Sequence, residues 1–575
     1  MTHPSFLRSV ARPAGLATTA GLLAVLAASL AYYRLYIDSG LNTADDGHYA
    51  QVAYELLLGT DPHAISFAYG LMWFKLGQLL FTLTGPSWHS VQLIFYAVIT
   101  ATSLLVYATV LRVTGRQLPA LLAAAVAVAV PAFPPTSFYA FCTLLNVFCQ
   151  VRLADRWQVM RMQDVLLPAA ALSLTFQVRA DFGYLFAVPL AGLLLLGACA
   201  APRRAWPGIR QVWPLRLAQL AGTALAAFLV VQLPVLLRAA TRGYLDLVVT
   251  DVLRYPLTIL TYLLAVFHPA GPGAATRQDG AGTLLARPPL HGLWDGLWAG
   301  QPDALMAALV YGPLLVMALY LVVAGLHLRH PGGVERLPVL LVVLAGALAT
   351  LPHYFFFRPD LAHVANFMPG FLVLGGTLLG ELASLVTGGG RRARTPWRAG
   401  GLAAASLVAA TPLVAVGAIY LCVGLTTPGT GSIAASLDRT APFSARNVTE
   451  VRVNAGELAQ LTAVRNLIEA ASAPGDPIVC VPFCPGIAFM TGRRMLLHEY
   501  FVDDSFLLRD PGWIDRAIAT TRQARPPVVI VVDWAIHGTD ISRFQNWAHR
   551  YIDALVTDGY ARSDLPGIMA YRRPG

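Results

Sequence analysis

An acidic pair near the N-terminus is the first group of residues that could do chemistry. Asp45 and Asp46 are adjacent, His48 and Tyr49 follow them, and the group comes soon after the first long apolar run. Of two neighbouring carboxylates, one can act as a general base while the other holds a cation or orients it. The alternative is a hydrated loop in which an aspartate caps the following helix. The segment is therefore a candidate catalytic site, and His48 and Tyr49 are candidate substrate-binding residues.

Two arginine-containing segments could bind an anionic group. One contains Arg358, Asp360 and His363, and the other contains Arg179 and Asp181. Arginine carries a permanent charge and a fork of donors that suits phosphate. The alternative for both segments is a hairpin turn closed by a salt bridge. A single lysine within an apolar stretch, Lys75, joins them as a candidate phosphate-binding residue.

The elements that must position these residues are membrane helices. The chain of 575 residues has 56% hydrophobic and 13% charged residues, whereas soluble proteins have about 45–50% and about 25%. Apolar runs of about 20 residues, each long enough to cross a hydrocarbon core of about 30 Å, recur along the chain. Residues 426–575 contain none. The sequence predicts a transmembrane domain at 1–425 and an extracytoplasmic domain at 426–575.

The basic clusters between apolar runs predict the topology, because cytoplasmic loops are rich in Lys and Arg. With a cytoplasmic N-terminus, about eleven spans result if Ser66–Thr84 lies along the membrane surface. If that stretch crossed the bilayer, Arg112 and Arg116 would be forced outside. The predicted spans are residues 16–33, 91–110, 118–132, 138–151, 165–178, 184–200, 215–237, 304–326, 337–357, 364–386 and 401–425. This topology places all three polar segments and the C-terminus on the extracytoplasmic side of a plasma (inner) membrane.

The last part of the chain has the pattern of a small α/β domain. Helical periodicity at 457–473 and 513–525 alternates with apolar strands at 477–481 and 528–533, and 567–572 resembles a last strand. No Gly-rich phosphate fingerprint occurs in it. The net charge of +10 does not indicate nucleic-acid binding, because the arginines sit in short clusters between apolar runs. The six cysteines show no zinc pattern, but Cys480 and Cys484 could pair outside the cell.

Several motifs together resemble the GT-C membrane glycosyltransferases. An external acidic pair follows the first span, and the segment 67–85 (FAYGLMWFKLGQLLFTLTG) is similar to the juxtamembrane helix of these enzymes. Three C-terminal segments, 474–479 (PGDPIV), 488–493 (AFMTGR) and 526–530 (PPVVI), resemble the domain that follows the membrane part in many bacterial members. The superfamily includes protein O-mannosyltransferases, aminoarabinose transferases and arabinofuranosyltransferases, which use polyprenyl-phosphate-linked sugars. The resemblance covers nearly the whole chain.

The resemblance implies a hexosyl- or pentosyltransferase of the cell envelope. Its donor would be a polyprenyl-phosphate-linked sugar, and its acceptor a hydroxyl of a glycan, lipid or protein on the extracytoplasmic face. The first-loop acid would be the base or a metal-associated residue, and Arg358 with His363, helped by Arg179, would meet the lipid phosphate. A divalent cation, Mg or Mn, stays open as a cofactor with Asp45 and Asp46 as its ligands. The usual members have Asp-Glu or Glu where this chain has Asp46, which leaves open which aspartate is the base.

Two other classes of function fit parts of the sequence. A lipid-linked sugar transporter or flippase would explain the spans and arginines, but it would not need a folded external domain. A non-catalytic envelope assembly protein would explain that domain, but it would give Asp45 and Asp46 no role. The donor sugar, the acceptor, the stereochemical outcome and the oligomeric state cannot be derived from the sequence, because the shape of a pocket across several helices decides specificity.

Overall fold

The computed structural model describes residues 15–67, 69–200, 213–250, 252–253, 256, 292–328, 333–352, 354–355, 359–392, 396–426, 433–499, 501–503, 507, 510–535 and 540–573. The chain forms two compact units. The helical unit contains the described residues of Met1–Tyr32, Ala97–Pro269 and Leu285–Ser432, and the mixed unit contains those of Tyr33–Tyr96 and Ile433–Gly575. Residues 33–96 therefore pack with the C-terminal part of the chain.

Fourteen helices are described before residue 427. They are α1 Gly15–Tyr33, α2 Asp45–Leu57, α3 Leu71–Thr84, α4 Trp88–Thr114, α5 Gln117–Ala129, α6 Phe138–Ala154, α7 Met162–Val178, α8 Ala180–Cys199, α9 Trp213–Thr241, α10 Leu293–Trp298, α11 Pro302–Leu328, α12 Gly333–Pro352, α13 Leu361–Arg392 and α14 Pro396–Thr426. Short 3₁₀ turns lie at Pro62–Ala64, Pro134–Thr136 and Trp157–Val159.

Eight of the described helices, α1, α4, α8, α9, α11, α12, α13 and α14, are long and apolar enough to cross a membrane. Three more, α5, α6 and α7, coincide with predicted spans but have only 13, 17 and 17 residues. Each predicted span therefore coincides with one helix, and the predicted fold class is confirmed. The helix α3 has 14 residues and would reach only about 21 Å at 1.5 Å per residue, less than the hydrocarbon core of about 30 Å.

The helix α13 lies at the centre of the helical unit. Of its most apolar window, 83% is buried, against 17% for α1 and for α9. Small residues allow this burial, because they let neighbouring helices approach closely. A Cβ at Gly376 would lie 2.9 Å from the Val110 side chain, and one at Gly380 would lie 2.3 Å from the Thr114 side chain. The first turn of α13, which carries His363, is therefore held on a well-packed helix.

The C-terminal part of the mixed unit is an α/β domain. Its helices are α15 Ile433–Asp438, α16 Ala455–Ala471, α17 Pro485–Thr491, α18 Trp513–Ala524, α19 Phe544–Trp547 and α20 His549–Thr557, with a 3₁₀ turn at Asp540–Ser542. Its strands are β1 Ala441–Ala445, β2 Val448–Val453, β3 Pro477–Val481, β4 Arg494–Met495, β5 Val528–Val532, β6 Ala561–Leu565 and β7 Ile568–Arg572.

The strands form an antiparallel hairpin, β1–β2, and a five-stranded sheet in the order β4-β3-β5-β7-β6. The strands β4, β3 and β5 are parallel, whereas β7 is antiparallel to both β5 and β6. The sheet is covered on one face by Trp513 of α18 and Tyr551 of α20, which are both buried. The capped helix α16 buries Leu461, Val464 and Ile468, spaced as one helical face. The predicted helices and strands of this domain all correspond to observed elements.

Candidate functional site

The carboxylate of Asp46 is buried in the first turn of α2. Only 7% of the residue is exposed. Its Oδ1 accepts a hydrogen bond from Asn42 Nδ2 and its Oδ2 accepts one from Gln92 Nε2, each at 3.0 Å. Burial and the neighbouring charge of Asp45 raise the pKa of Asp46, the two amides lower it, and the result is a pKa of about 7. Asp46 is thus a buried carboxyl that changes its protonation state near neutral pH.

Asn42 stabilises the turn from which α2 begins. Its side-chain Oδ1 accepts the Ala44 backbone N–H at 3.1 Å, and its backbone carbonyl accepts the Gly47 N–H at 2.9 Å. The side chain of Asp45, the first residue of α2, is therefore presented at a helix N-terminus, where the backbone dipoles favour negative charge. Asp45 is half-buried, unlike its neighbour. The two aspartates thus have different environments: one is locked by amides and the other is accessible.

The start of α2 is pressed against the start of α17 in the C-terminal domain. The Gly486 N–H donates to the Thr43 carbonyl at 2.8 Å. A Cβ on Gly47 would lie 2.5 Å from the Gly486 backbone, and a Cβ on Gly486 would lie 2.7 Å from Thr43 Cα. Only glycine fits at either position. The α/β domain therefore sets the position of the acidic turn.

A second connection joins the other end of α2 to β4. The buried carboxylate of Glu55 accepts the Met495 backbone N–H at 2.8 Å and a hydrogen bond from Thr60 Oγ1 at 2.5 Å. It also faces Arg494 Nε at 3.4 Å and accepts Gln51 Nε2 at 3.0 Å. Glu55 thereby holds α2 on the sheet of the C-terminal domain. Sequence reasoning missed Asn42, Gln92, Gly486 and Glu55, since their partners are distant in the chain or lie in an ordinary helical pattern.

The structure places His48 and Tyr49 in packing positions between α2 and α3. The His48 ring meets Phe74 edge-on at 5.3 Å, and burial lowers its pKa to about 3, so the imidazole is neutral. The Tyr49 hydroxyl donates to the Trp73 carbonyl at 3.0 Å. Lys75, on α3, donates to Gln78 Oε1 at 3.0 Å. The contacts of His48 and Tyr49 hold α3 beside α2, and the predicted roles of the three residues in binding substrate stay predictions.

The predicted pair Arg179–Asp181 forms at the junction of α7 and α8. Arg179 Nε donates to both oxygens of Asp181, at 2.8 and 3.0 Å. The guanidinium also lies 4.6 Å from the centroid of the Tyr139 ring and donates to the Tyr139 hydroxyl. Asp181 Oδ1 accepts the Phe182 N–H at 2.9 Å. The arrangement ties the α7–α8 hairpin to the first turn of α6.

Asp360 and His363 form the cap of α13. Asp360 Oδ1 lies 2.7 Å from His363 Nδ1 and accepts the His363 backbone N–H at 2.9 Å. One turn further along, Asn366 Nδ2 donates to Thr136 Oγ1 at 2.7 Å. Thr136 lies two residues before α6, and the first turn of α6 contains Tyr139, which binds Arg179. The Asp360 and Arg179 segments therefore lie at the same end of the helical unit. Arg358 lies outside the described residues.

No arrangement for a fully protein-bound metal ion is found in the described part of the chain, where no group of three or more His, Cys, Asp and Glu side chains comes together. Cys480 and Cys484 are both buried free thiols.

No protein-family model and no curated protein matches the chain. Among solved structures, the chain is similar to the archaeal oligosaccharyltransferase AglB from Archaeoglobus fulgidus in complex with an inhibitory peptide and a dolichol-phosphate. The identity is 15%, the match covers 96% of this chain and 74% of AglB, and the TM-score is 0.47. It is also similar to ArnT from Cupriavidus metallidurans bound to undecaprenyl phosphate, at 13% identity over 98% of this chain and 100% of ArnT, with a TM-score of 0.46.

The apo state of ArnT gives 12% identity over 97% of this chain and 100% of ArnT, with a TM-score of 0.47. The fold and the site define this chain as a multi-pass helical membrane protein with a C-terminal α/β domain and an acidic helix N-terminus that this domain holds in place.

Proposed function

We propose that the protein is a membrane glycosyltransferase that moves a sugar from a polyprenyl-phosphate donor to an acceptor hydroxyl on the extracytoplasmic face. The observation that carries the proposal is that the two residues of the acidic pair have different environments. Asp46 is buried and held by two amides, whereas Asp45 is accessible at the N-terminus of α2. An assembly protein would give the acidic pair no role, and a transporter would not need the folded C-terminal domain.

Asp45 is the base in this proposal. Asp45 is the first residue of α2, and the backbone dipoles at a helix N-terminus favour negative charge. Asp46 acts as a positioning residue, since both of its oxygens are engaged by Asn42 and Gln92. A change in its protonation alters the charge next to the base, because the two carboxyls are adjacent. Activity should therefore respond to pH through a group with a pKa near 7.

The transfer step balances as a single displacement. The acceptor oxygen bonds to the anomeric carbon while the bond from that carbon to the phosphate oxygen breaks. The electron pair of the broken bond leaves with the polyprenyl phosphate, and the proton of the hydroxyl passes to Asp45. Cationic donors favour this step, because charge develops on the phosphate as the bond breaks.

Arg358 and His363 are assigned to the lipid phosphate by the sequence resemblance. His363 supports the assignment because its Nδ1 is held by Asp360, which fixes the ring as carboxylate partners do elsewhere. We do not assign Arg179 to the phosphate, because its fork is occupied by Asp181 and Tyr139.

A divalent cation is compatible with Asp45. Mg²⁺ is often held by one or two carboxylates together with substrate phosphate oxygens. In that case Asp45 would hold the ion, and the ion would offset the charge of the leaving phosphate. Removing divalent cations with a chelator and restoring Mg²⁺ or Mn²⁺ tests whether transfer depends on one.

The experiment that tests the function uses Asp45→Asn and Asp46→Asn in membranes, with lipid-linked sugar as donor and with expression and melting temperature measured alongside. Loss of transfer by Asp45→Asn of at least about a hundredfold is expected, in the range of general-base contributions. The matched control is Asp61→Asn in the same loop, where Asp61 is exposed and caps a short turn. Full activity of both Asp45→Asn and Asp46→Asn would overturn the assignment.

A further inference from the structure

The C-terminal domain has a crevice at the carboxyl ends of its parallel strands. The chain continues from β3 to β4 on one side of the pair, and it continues from β5 to β6, at the far edge of the sheet, on the other side. Two adjacent parallel strands whose following segments diverge in this way form a topological switch point, where α/β domains commonly bind ligands. Phe483 follows β3 and Trp534 follows β5, so both aromatic residues lie at this switch point.

The aromatic residues at the switch point form a platform. The rings of Phe483 and Trp534 are nearly parallel, with an interplanar angle of 24° and centroids 6.3 Å apart. Phe501 meets Phe483 edge-on at 5.4 Å. Phe483 is 7% exposed and Trp534 is 41% exposed. Phe483 therefore packs against the indole of Trp534. The Trp534 indole is accessible and forms a rigid apolar surface.

Polar groups surround Asp533, the residue that precedes Trp534 in the chain. Asp533 Oδ1 accepts hydrogen bonds from Gln545 Nε2 at 2.6 Å and from Arg543 Nη1 at 2.5 Å. Arg543 Nε also donates to Asp540 at 3.0 Å. These donors lower the pKa of Asp533, which is therefore a charged acceptor at neutral pH, with 41% of its side chain exposed. Within the described residues, the buried Oε1 of Gln545 has no hydrogen-bond partner.

A sugar ring matches this combination of groups. One face of a pyranose or furanose presents C–H groups that pack on an aromatic surface, while its hydroxyls donate to carboxylate and amide oxygens. A nucleotide fits less well, because the domain has no Gly-rich phosphate loop. These groups lie in the same compact unit as the acidic turn, so a glycan bound to them is a candidate acceptor for the reaction proposed at that turn.

We propose that Trp534, Asp533 and Gln545 form a binding site for a glycan chain, which is the acceptor of the transferase. The identification of this glycan as the acceptor rests on the proposed function. The binding of a neutral oligosaccharide at the site does not depend on that function. The glycan site would hold sugar units of the acceptor chain and thereby favour glycans over single sugars, lipids or proteins.

The test measures binding and transfer separately in full-length protein in lipid nanodiscs. Saturation-transfer-difference NMR is recorded with neutral tetrasaccharides of glucose, mannose, galactose and arabinose as probes. Wild-type protein should bind at least one of them, and Trp534→Ala should weaken that binding about tenfold, as expected for one lost aromatic contact. Trp534→Phe should restore part of it. Trp298→Ala, at a tryptophan on α10 that is 77% exposed against 41% for Trp534, should bind as the wild type does.

The outcomes separate the two proposals. Binding that Asp45→Asn leaves intact and Trp534→Ala weakens supports the glycan site even if no transfer is found. In an enzyme that transfers sugar, Trp534→Ala should raise the acceptor KM while the donor KM and the melting temperature stay unchanged. If none of the four tetrasaccharides binds to the wild type, or if Trp534→Ala binds as tightly as the wild type, the glycan site is wrong.

Discussion

Gly47 and Gly486 approach each other so closely that neither position has room for a side chain. A Cβ on Gly486 would lie 2.7 Å from Thr43 Cα, 2.9 Å from the Thr43 carbonyl oxygen and 3.0 Å from Gly47 Cα. All three are backbone atoms of the acidic turn. They cannot move aside for an added methyl group as the end of a flexible side chain can. The turn that presents Asp45 therefore depends on a residue of the C-terminal domain.

Gly486→Ala should reduce sugar transfer much more than it reduces expression. The added methyl must displace the start of α2, and a displacement of about 1 Å in a catalytic group can cost on the order of a hundredfold in rate. We expect a fall in kcat with a small change in donor KM, measured with lipid-linked sugar in nanodiscs. The control is Gly456→Ala in α16, where a Cβ would meet only Asn454 Oδ1 at 3.4 Å. Activity of Gly486→Ala equal to that of this control would show that the contact does not position the base.

Asp46→Asn should make the protein less sensitive to pH. The native pKa of Asp46 is about 7, above its ordinary value of about 3.9. A raised acid pKa favours the native state fully only below the unfolded pKa, and this contribution is lost as pH rises toward the native pKa. Asparagine is neutral throughout and resembles the protonated acid. The melting temperature of Asp46→Asn relative to wild type should therefore rise between about pH 5 and about pH 8.

The measurement is a series of melting curves across that pH range, with Asp61→Asn as the control. Asp61 is fully exposed, and the His63 N–H holds the pKa of Asp61 below its ordinary value. Its substitution should not produce a difference that grows toward high pH. A constant offset between Asp46→Asn and wild type at every pH would contradict the burial of an ionisable carboxyl.

Glu55→Ala should destabilise the mixed unit. Its removal leaves the Met495 N–H and the Thr60 hydroxyl without their acceptor in a buried site, at a cost of about 1–3 kcal/mol for each buried group that stays unsatisfied. Glu55→Gln keeps one carbonyl acceptor, and the loss should be smaller. Denaturant or thermal unfolding followed by tryptophan fluorescence measures both. Glu450→Gln, at an exposed position of β2, should change stability by less than about 0.5 kcal/mol.

The large features of the fold could be predicted from the sequence, because they follow from local patterns. Apolar length predicts α1 and α13, and the run at Val528–Val532 predicts a central strand. The strand Ala561–Leu565 was missed, since its mostly exposed residues carry no apolar signal. The amide contacts of Asp46 were also missed. A pattern along the chain shows the residue types in a site, but it does not show which distant residue completes it.

The topology depended on one interpretation, that Ser66–Thr84 does not cross the membrane. The observed helix α3 is short and packs on α2 through the hydrogen bond from Gln78 Nε2 to the Leu56 carbonyl at 2.6 Å. This agrees with a helix that lies beside the first loop. The charge rule predicts the same, because only a non-crossing segment leaves Arg112 on the cytoplasmic side.

Arg179→Lys should lower stability without changing the donor KM. Lysine keeps the charge, but it loses the paired hydrogen bonds to Asp181 and the contact of the guanidinium with the Tyr139 ring. A loss of about 1–2 kcal/mol is expected, because the side chains of Arg179 and Asp181 are only 13% and 16% exposed and charged hydrogen bonds contribute about 1.5–3 kcal/mol each. The measurements are the melting temperature and the dependence of transfer rate on donor concentration.

His363→Gln provides the contrast to Arg179→Lys. If His363 meets the donor phosphate, its substitution should raise the donor KM with little change in melting temperature. A donor KM that rises more in Arg179→Lys than in His363→Gln would reverse the two roles and make Arg179 the phosphate ligand.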